Sequence, residues 1–365
     1  MGPPRHLALL PDLAAERVEW PVPFADGIPR LLGFRPRRTV VLASGDPFWF
    51  GAGAALARRL GPGEWRACPG RSTFSLAASR LGWPLEQTAC FGLHAAPLAR
   101  LRPVLAPGAR LLVLLRDGAA VRELAGLLTG AGFGASALTV LESLGGPRER
   151  VTRAAAEALP DLAFAHPVCA AITVQGEGAV LPLAAGRPDD WFESDGQMTK
   201  RPVRALTLSA LAPRPFEHLW DIGGGSGSIG IEWLLSDPSL SCTSIEPREA
   251  RAARIRANAD RLGADRLRVI AGAAPEALAD LPAPDAVFVG GGLSEGLLDW
   301  LGARLASGTR IVANAVTLES EALLARAQAR HGGDLMRADL ARAAPLGDKR
   351  GWTAAYPIVQ WSVTL

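Results

Sequence analysis

Within the 365 residues, the stretch Leu219 to Trp233, LWDIGGGSGSIGIEW, restricts the fold more than any other. Apolar residues lead into Asp221, glycines stand at positions 223, 224, 225, 227 and 230, and an apolar helical run follows. The order reads as a strand, a tight turn and a helix. Glycine suits such a turn because it alone adopts positive φ without strain, and because a ligand can lie against backbone only where no Cβ intervenes. The helix N-terminus then offers unpaired N–H groups to a polar or anionic ligand.

Two loop patterns overlap here. Asp221, Gly223, Gly225 and Gly227 fit the D-x-G-x-G-x-G of S-adenosylmethionine-dependent methyltransferases, whereas Gly225, Gly227 and Gly230 fit the G-x-G-x-x-G of nicotinamide or flavin enzymes. A glycine loop alone does not separate them. From Phe216 onward, strands and helices alternate: CTSIEP ends at Glu246, LRVIAG precedes Gly272 and Ala273, DAVFVGGG carries Gly290, and RIVANA carries Asn314. This alternation predicts a doubly wound parallel sheet. Glu246 follows the loop at the spacing where a carboxylate accepts hydrogen bonds from both hydroxyls of a ribose, and Gly272 and Ala273 are expected along the adenine. Two closing β-rich runs, LMRADLARAAPLG and AAYPIVQWSVTL, flank a Gly-Asp-Lys-Arg-Gly turn and read as a terminal antiparallel hairpin. That ending, with Asp221 at the strand end, favours S-adenosylmethionine, and a nicotinamide-dependent reductase is the alternative.

Composition excludes several classes. A net charge of +3 without a basic run argues against nucleic acid as a partner. Lys200 and Lys349 are the only lysines, and the excess of arginine, with 40 glycines and 29 prolines, reads first as the codon bias of a GC-rich genome. Some arginines are also suited to holding carboxylates. Cysteines 68, 90, 169 and 242 are scattered without metal-ligand spacing, so no metal is expected and the thiols point to the cytoplasm. No signal peptide or membrane span is expected.

In the first half, TVVLA (39–43) reads as a strand running into Ser44-Gly45-Asp46-Pro47, and Ser72 or Thr73 as the cap of a small-residue helix. Further strands are expected near 109–115, 137–141 and 168–174, with a helix over 121–128. Taken in order, LASGDPFWFGAG, PGRSTFSLAASRLGWP, FGLHAAP, LLVLLRD and LESLGGPRER resemble the tetrapyrrole methyltransferases of the cobalamin pathway, most closely their carbon-5 module. The resemblance implies that Gly45 and Asp46 lie at an S-adenosylmethionine cleft. Such modules begin with a strand and glycine loop ahead of the Arg5-His6-Leu7 region. The sequence does not contain them, so this half is expected to lack part of its cleft.

The second half extends the likeness. GQMTKRPVRALTLSAL, DIGGGSGSIGIEW, SIEP, AGAAPEAL, FVGGG and ANAVTLES are similar to the decarboxylating carbon-15 methyltransferase module, and the two modules in tandem resemble the C(5,15)-methyltransferases (decarboxylating) that act on precorrin-6B. The resemblance implies an N-terminal tetrapyrrole-methyltransferase-like α/β domain over 1–184 and a class I Rossmann-like domain over 185–365. It also implies methylation of carbons 5 and 15 with decarboxylation of the carbon-12 acetate side chain, and S-adenosylhomocysteine as co-product. If only the second domain is active, the first is a substrate-holding module. The expected partner is the tetrapyrrole, in a homo-oligomer of the chain. Thr199, Lys200 and Asn314 are the candidate catalytic residues. Gln197, Arg201 and Arg204 are the candidates for holding the substrate and its carboxylates.

Overall fold

The structure is a computed structural model and describes residues 1–365. The chain forms two compact units, one of Met1–Ala96 with Pro107–Gly178, the other of Pro97–Ala106 with Ala179–Leu365. The segment 97–106 therefore belongs to the second unit although it lies within the stretch assigned to the first domain. Arg100 there binds Asp265 through two hydrogen bonds of 2.8 and 2.9 Å.

The first unit carries helices α1 (Pro4–Leu7), α2 (Gly27–Leu32), α3 (Gly53–Ala57), α4 (Thr73–Leu81) and α5 (Ala119–Gly130). Its strands are β1 (Ala89–Gly92), β2 (Arg110–Leu114), β3 (Ala137–Glu142), β4 (Arg150–Ala155) and β5 (Val168–Thr173), in the order β1-β2-β5-β3-β4. Only β1 and β2 run parallel. Ser72 caps α4, its Oγ accepting the Ser75 N–H at 3.0 Å, as expected. Two expectations need correction. TVVLA is not a strand: its neighbours here are single backbone contacts, Met1 N to Val40 O and Leu42 N to Met1 O, and without a flanking strand no ladder forms. Conversely, β4 is a strand that the sequence hides, because an edge strand with no fully buried side chain needs no apolar alternation.

The second unit is the doubly wound sheet. Helices α6 (Arg201–Leu211), α7 (Ser228–Ser236), α8 (Glu249–Leu262), α9 (Glu295–Arg304) and α10 (Leu318–His331) accompany β6 (His218–Ile222), β7 (Ser241–Glu246), β8 (Arg268–Ala271), β9 (Ala286–Val289) and β10 (Arg310–Ala315). The chain ends with β11 (Asp334–Ala338), β12 (Ala341–Leu346), β13 (Lys349–Ala354) and β14 (Ile358–Thr364). The sheet order is β11-β14-β10-β9-β6-β7-β8, with β14 antiparallel to both of its neighbours. Successive residues along the central strands serve opposite faces. Leu219, Phe288 and Val312 pack with Trp233 on one side, and Trp220, Val287, Val289 and Ile311 pack with Trp361 on the other. The terminal antiparallel pair is thus β11 with β14. The Gly-Asp-Lys-Arg-Gly turn belongs elsewhere, to a separate two-stranded hairpin of β12 and β13. No helix is long and apolar enough to cross a membrane.

Candidate active site

The carboxyl ends of the parallel strands open into one cleft of about 1450 Å³. The glycine turn forms its floor. Gly223, Gly225 and Gly227 have φ of 72, 60 and 76°, the left-handed region that a side chain would strain. At Gly223 a Cβ would also stand 2.6 Å from the Cα of Gly291, so the first and fourth strand ends approach as a glycine at 223 allows. Gly223 and Gly225 line the cleft, and so do Gly272, Ala273 and Gly290. Gly227 does not; it is the N-cap of α7, and its Cβ would meet Ile255 Cγ2 at 2.7 Å.

Glu246 ends β7 inside the cleft and is 3% exposed. Its carboxylate accepts the Gly225 N–H at 3.0 Å and the Arg248 N–H at 3.1 Å, so its orientation is fixed before any ligand arrives. Ser226, beside it in the turn, has a buried hydroxyl without a hydrogen-bond partner.

Asp221 requires a correction. It is buried outside the cleft lining, accepts the Ser244 hydroxyl at 3.2 Å and is hydrogen-bonded to the Gly230 N–H. It ties β6 to β7 and α7 beneath the turn, and so shapes the loop rather than touching a ligand. Burial is the main cause that pushes its carboxyl up to about 6, with the nearby Glu246 charge adding to it.

The segment leading to α6 forms a second wall through Gln197, Thr199 and Lys200. Arg251 on α8 fastens it, donating to Asp195 Oδ2 and Gln197 Oε1 at 2.7 Å each. The hydrogen bond from Arg251 is the chief reason the Asp195 carboxyl falls to about 2. Lys200 is exposed at the N-cap of α6 and faces the cleft. Arg201 is exposed outside the lining.

Arg204 also needs correction, since it is fully buried and its guanidinium is committed internally. It donates to Glu232 Oε1 at 2.6 Å, to Asp189 Oδ1 at 3.1 Å and to the carbonyls of Thr199 and Arg187 at 2.5 Å each. Its role is to hold the wall segment, and it has no exposed surface to meet a substrate. The same reasoning applies in part to Asn314, which lines the cleft while its amide donates to Thr207 Oγ1 at 2.8 Å and accepts from Gln360 at 2.9 Å.

In the first unit, Gly45 borders a cavity of about 320 Å³ with Ser44, Ser72 and His94. Asp46 lies outside that lining and accepts the Phe48 N–H at 2.8 Å, so it caps its own turn.

Sequence reading missed Ser226, Arg251 and the β12–β13 hairpin, which contributes Arg342, Thr353 and, just beyond it, Tyr356 to the cleft. Arg251 sits in a helix where arginines recur for ordinary solvation, and alanine-rich strands give no signal.

Comparison with known proteins agrees with this geometry. Residues 34–160 match the family of tetrapyrrole (corrin/porphyrin) methylases, and residues 190–365 match the precorrin methyltransferase domain. A precorrin-6Y C(5,15)-methyltransferase [decarboxylating] from Sinorhizobium sp is 53% identical over 100% of this chain and 89% of its own length. One of the same name from Mycobacterium tuberculosis (strain CDC 1551 / Oshkosh) is 40% identical over 100% and 92%. The solved C-terminal domain of the Rhodobacter capsulatus protein is 56% identical, with a TM-score of 0.49, covering 51% of this chain and 100% of that one. The match of both halves to methyltransferase families, in a chain aligned along its whole length with such relatives, makes it a member of the decarboxylating precorrin-6Y C(5,15)-methyltransferase family.

Proposed function

We propose that this chain transfers methyl groups from S-adenosylmethionine to carbons 5 and 15 of a precorrin ring and removes the carboxyl of the carbon-12 acetate as carbon dioxide, leaving a methyl group there. The acceptor is precorrin-6B, the ring written precorrin-6Y in the names of the full-length relatives. The second unit serves carbon 15 and the decarboxylation, and the first unit serves carbon 5.

The observation that carries the cofactor assignment is Glu246 facing the glycine turn. Two backbone N–H groups occupy part of its acceptor capacity, and the remaining lone pairs suit a pair of ribose hydroxyls. Ser226 supports it, because an unpaired buried hydroxyl costs about 1–3 kcal/mol and a polar ligand on the turn would relieve that cost. When bound, the cofactor supplies an electrophilic methyl on its sulfonium.

The cleft lining contains no cysteine or histidine, and its hydroxyls and Lys200 are not asked to act as a covalent nucleophile. None is needed where an electron-rich ring carbon attacks the methyl directly. The protein contributes alignment and exclusion of water. Lys200 holds an acceptor carboxylate, while Thr199, Gln197 and Asn314 fix polar edges of the ring near the methyl. In the decarboxylation, the carbon–carbon bond to the carboxyl breaks, its electron pair enters the conjugated ring as carbon dioxide leaves, and a proton taken up from solvent at the side-chain carbon completes a methyl group. The four free thiols fit a cytoplasmic setting.

Mass spectrometry of the product tests the proposal. The expected product has gained two methyl groups and lost carbon dioxide; one methyl with decarboxylation would confine the activity to the second unit. Calorimetry tests the cofactor site, where Glu246→Ala should weaken S-adenosylhomocysteine binding about tenfold or more. Unchanged affinity would remove Glu246 from the site.

A further inference from the structure

We infer that the β12–β13 hairpin is the acceptor-side wall of the cleft and that Arg342 on it selects the acceptor by holding one of its carboxylates. This rests on reading the cleft as the methyl-transfer site.

The hairpin is an excursion that the fold does not need. The chain leaves the sheet after β11, turns at Gly347 and Asp348, and returns before β14, which already pairs with both β10 and β11. The two ends of the excursion meet, since the Ala355 N–H donates to the Leu340 carbonyl at 2.8 Å. No residue of β12 or β13 belongs to either hydrophobic core of the unit. A lone two-stranded hairpin is marginally stable in water. Its contribution is therefore to the cleft, which it borders through Ala341, Arg342, Ala344, Thr353 and Ala354. The alanines keep this wall low, and Arg342 is the single charged residue of the hairpin among those that border the cleft.

Charge gives the wall its selectivity. The carboxylates of the cleft are already engaged: Asp189 accepts from Arg204 and from the Arg201 N–H, and Glu246 accepts from two backbone N–H groups. Arg251 is bound to Asp195. Lys200, Arg248 and Arg342, by contrast, line the cleft with no carboxylate paired to any of them. Three unneutralised cations on different elements favour an acceptor that carries several carboxylates, and the planar fork of arginine binds a carboxylate through two parallel hydrogen bonds. Volume agrees with a second large ligand, because about 1450 Å³ exceeds the roughly 300–1,000 Å³ of a pocket for one drug-sized molecule. Tyr356, exposed at the root of the hairpin, adds an aromatic surface for the flat ring.

The test uses the full chain with uroporphyrin as a polycarboxylate ring and its methyl ester as the uncharged counterpart. Binding is followed by fluorescence, and S-adenosylhomocysteine binding by calorimetry. Replacing residues 341–354 by two glycines gives a chain without the wall; the uroporphyrin it still binds, through Lys200 or elsewhere, is subtracted to give the share due to the hairpin. Arg342→Ala should weaken the remaining uroporphyrin binding about tenfold, the loss of one charge-assisted contact, with Arg342→Lys restoring part of it. S-adenosylhomocysteine affinity should stay within about twofold, and the ester should bind wild type and Arg342→Ala alike. In turnover, KM for the precorrin should rise in Arg342→Ala while kcat is largely kept. Unchanged uroporphyrin affinity in Arg342→Ala, or equal losses for ring and cofactor, would overturn the inference. Failure of the wild-type chain to bind S-adenosylhomocysteine would instead overturn the methyl-transfer reading beneath it.

Discussion

The two units form their candidate cofactor sites in different ways. In the second unit, three left-handed glycines, a pre-oriented carboxylate at Glu246 and an unpaired hydroxyl at Ser226 surround a large cleft. In the first, the cavity has about 320 Å³, one left-handed glycine at Gly45, and polar groups that largely satisfy one another. Arg5 contacts His166 at 3.0 Å and Ser44 at 3.3 Å, and Ser44 contacts His6 at 3.0 Å. Burial is the main cause holding both imidazoles below the usual histidine pKa, with the Arg5 charge adding to it. The difference teaches where to look for binding capacity. It lies in polar groups that the fold orients and leaves partly unpaired.

The comparison is sharpest if the units are energetically separate. Arg204→Ala should have the largest effect, destabilising the second unit by about 3–5 kcal/mol because the Glu232 carboxylate loses its closest buried partner. Denaturation followed by hydrogen exchange should show protection falling in the second unit and not in the first. Equal losses in both would mean that the two cores unfold as one.

Asp221 comes next. Its folded pKa, about 6, lies above the ordinary 3.8, so the fold favours the neutral acid. The associated stability is fully present below about pH 3.8 and is lost as pH rises through about 6, a total of about 3 kcal/mol for a fully buried group. Asp221→Asn should flatten the stability profile between those pH values. A variant profile parallel to wild type would show that Asp221 ionises as freely as a solvated carboxyl.

The smallest effect contrasts the two turns directly. Gly227→Ala forces a side chain into φ of 76° and towards Ile255, which should cost about 1–2 kcal/mol and lower S-adenosylhomocysteine affinity in the second unit. Gly45→Ala, at φ of 56°, carries a similar backbone cost in the first unit and should leave that affinity unchanged. Calorimetry on the pair decides whether the second unit's turn acts alone.

Much of the second unit was legible in the sequence because its signals are local. Strand, glycine turn and helix follow one another within LWDIGGGSGSIGIEW, and Glu246 stands at the end of the next strand, so chain order alone places them at one sheet edge. Local signals failed where a residue's role depends on what lies across from it. TVVLA has the composition of a strand and no partner to pair with, while RVTRAA has little apolar pattern and pairs along its full length with β3.

The amino-acid order by itself determined the doubly wound frame, the glycine turn, the carboxylate facing it and the likeness to a tandem tetrapyrrole methyltransferase. Each depends on periodicity or spacing within a few dozen residues. Only the tertiary structure decided which polar groups remain free. It buried Arg204 against Glu232 and left Lys200 open, turned Asp221 beneath the loop it had been expected to serve, and brought Arg342 from the far end of the chain to the cleft wall. Hydrogen-bond satisfaction is a property of three-dimensional neighbours, and those are separated by tens to more than a hundred residues along this chain.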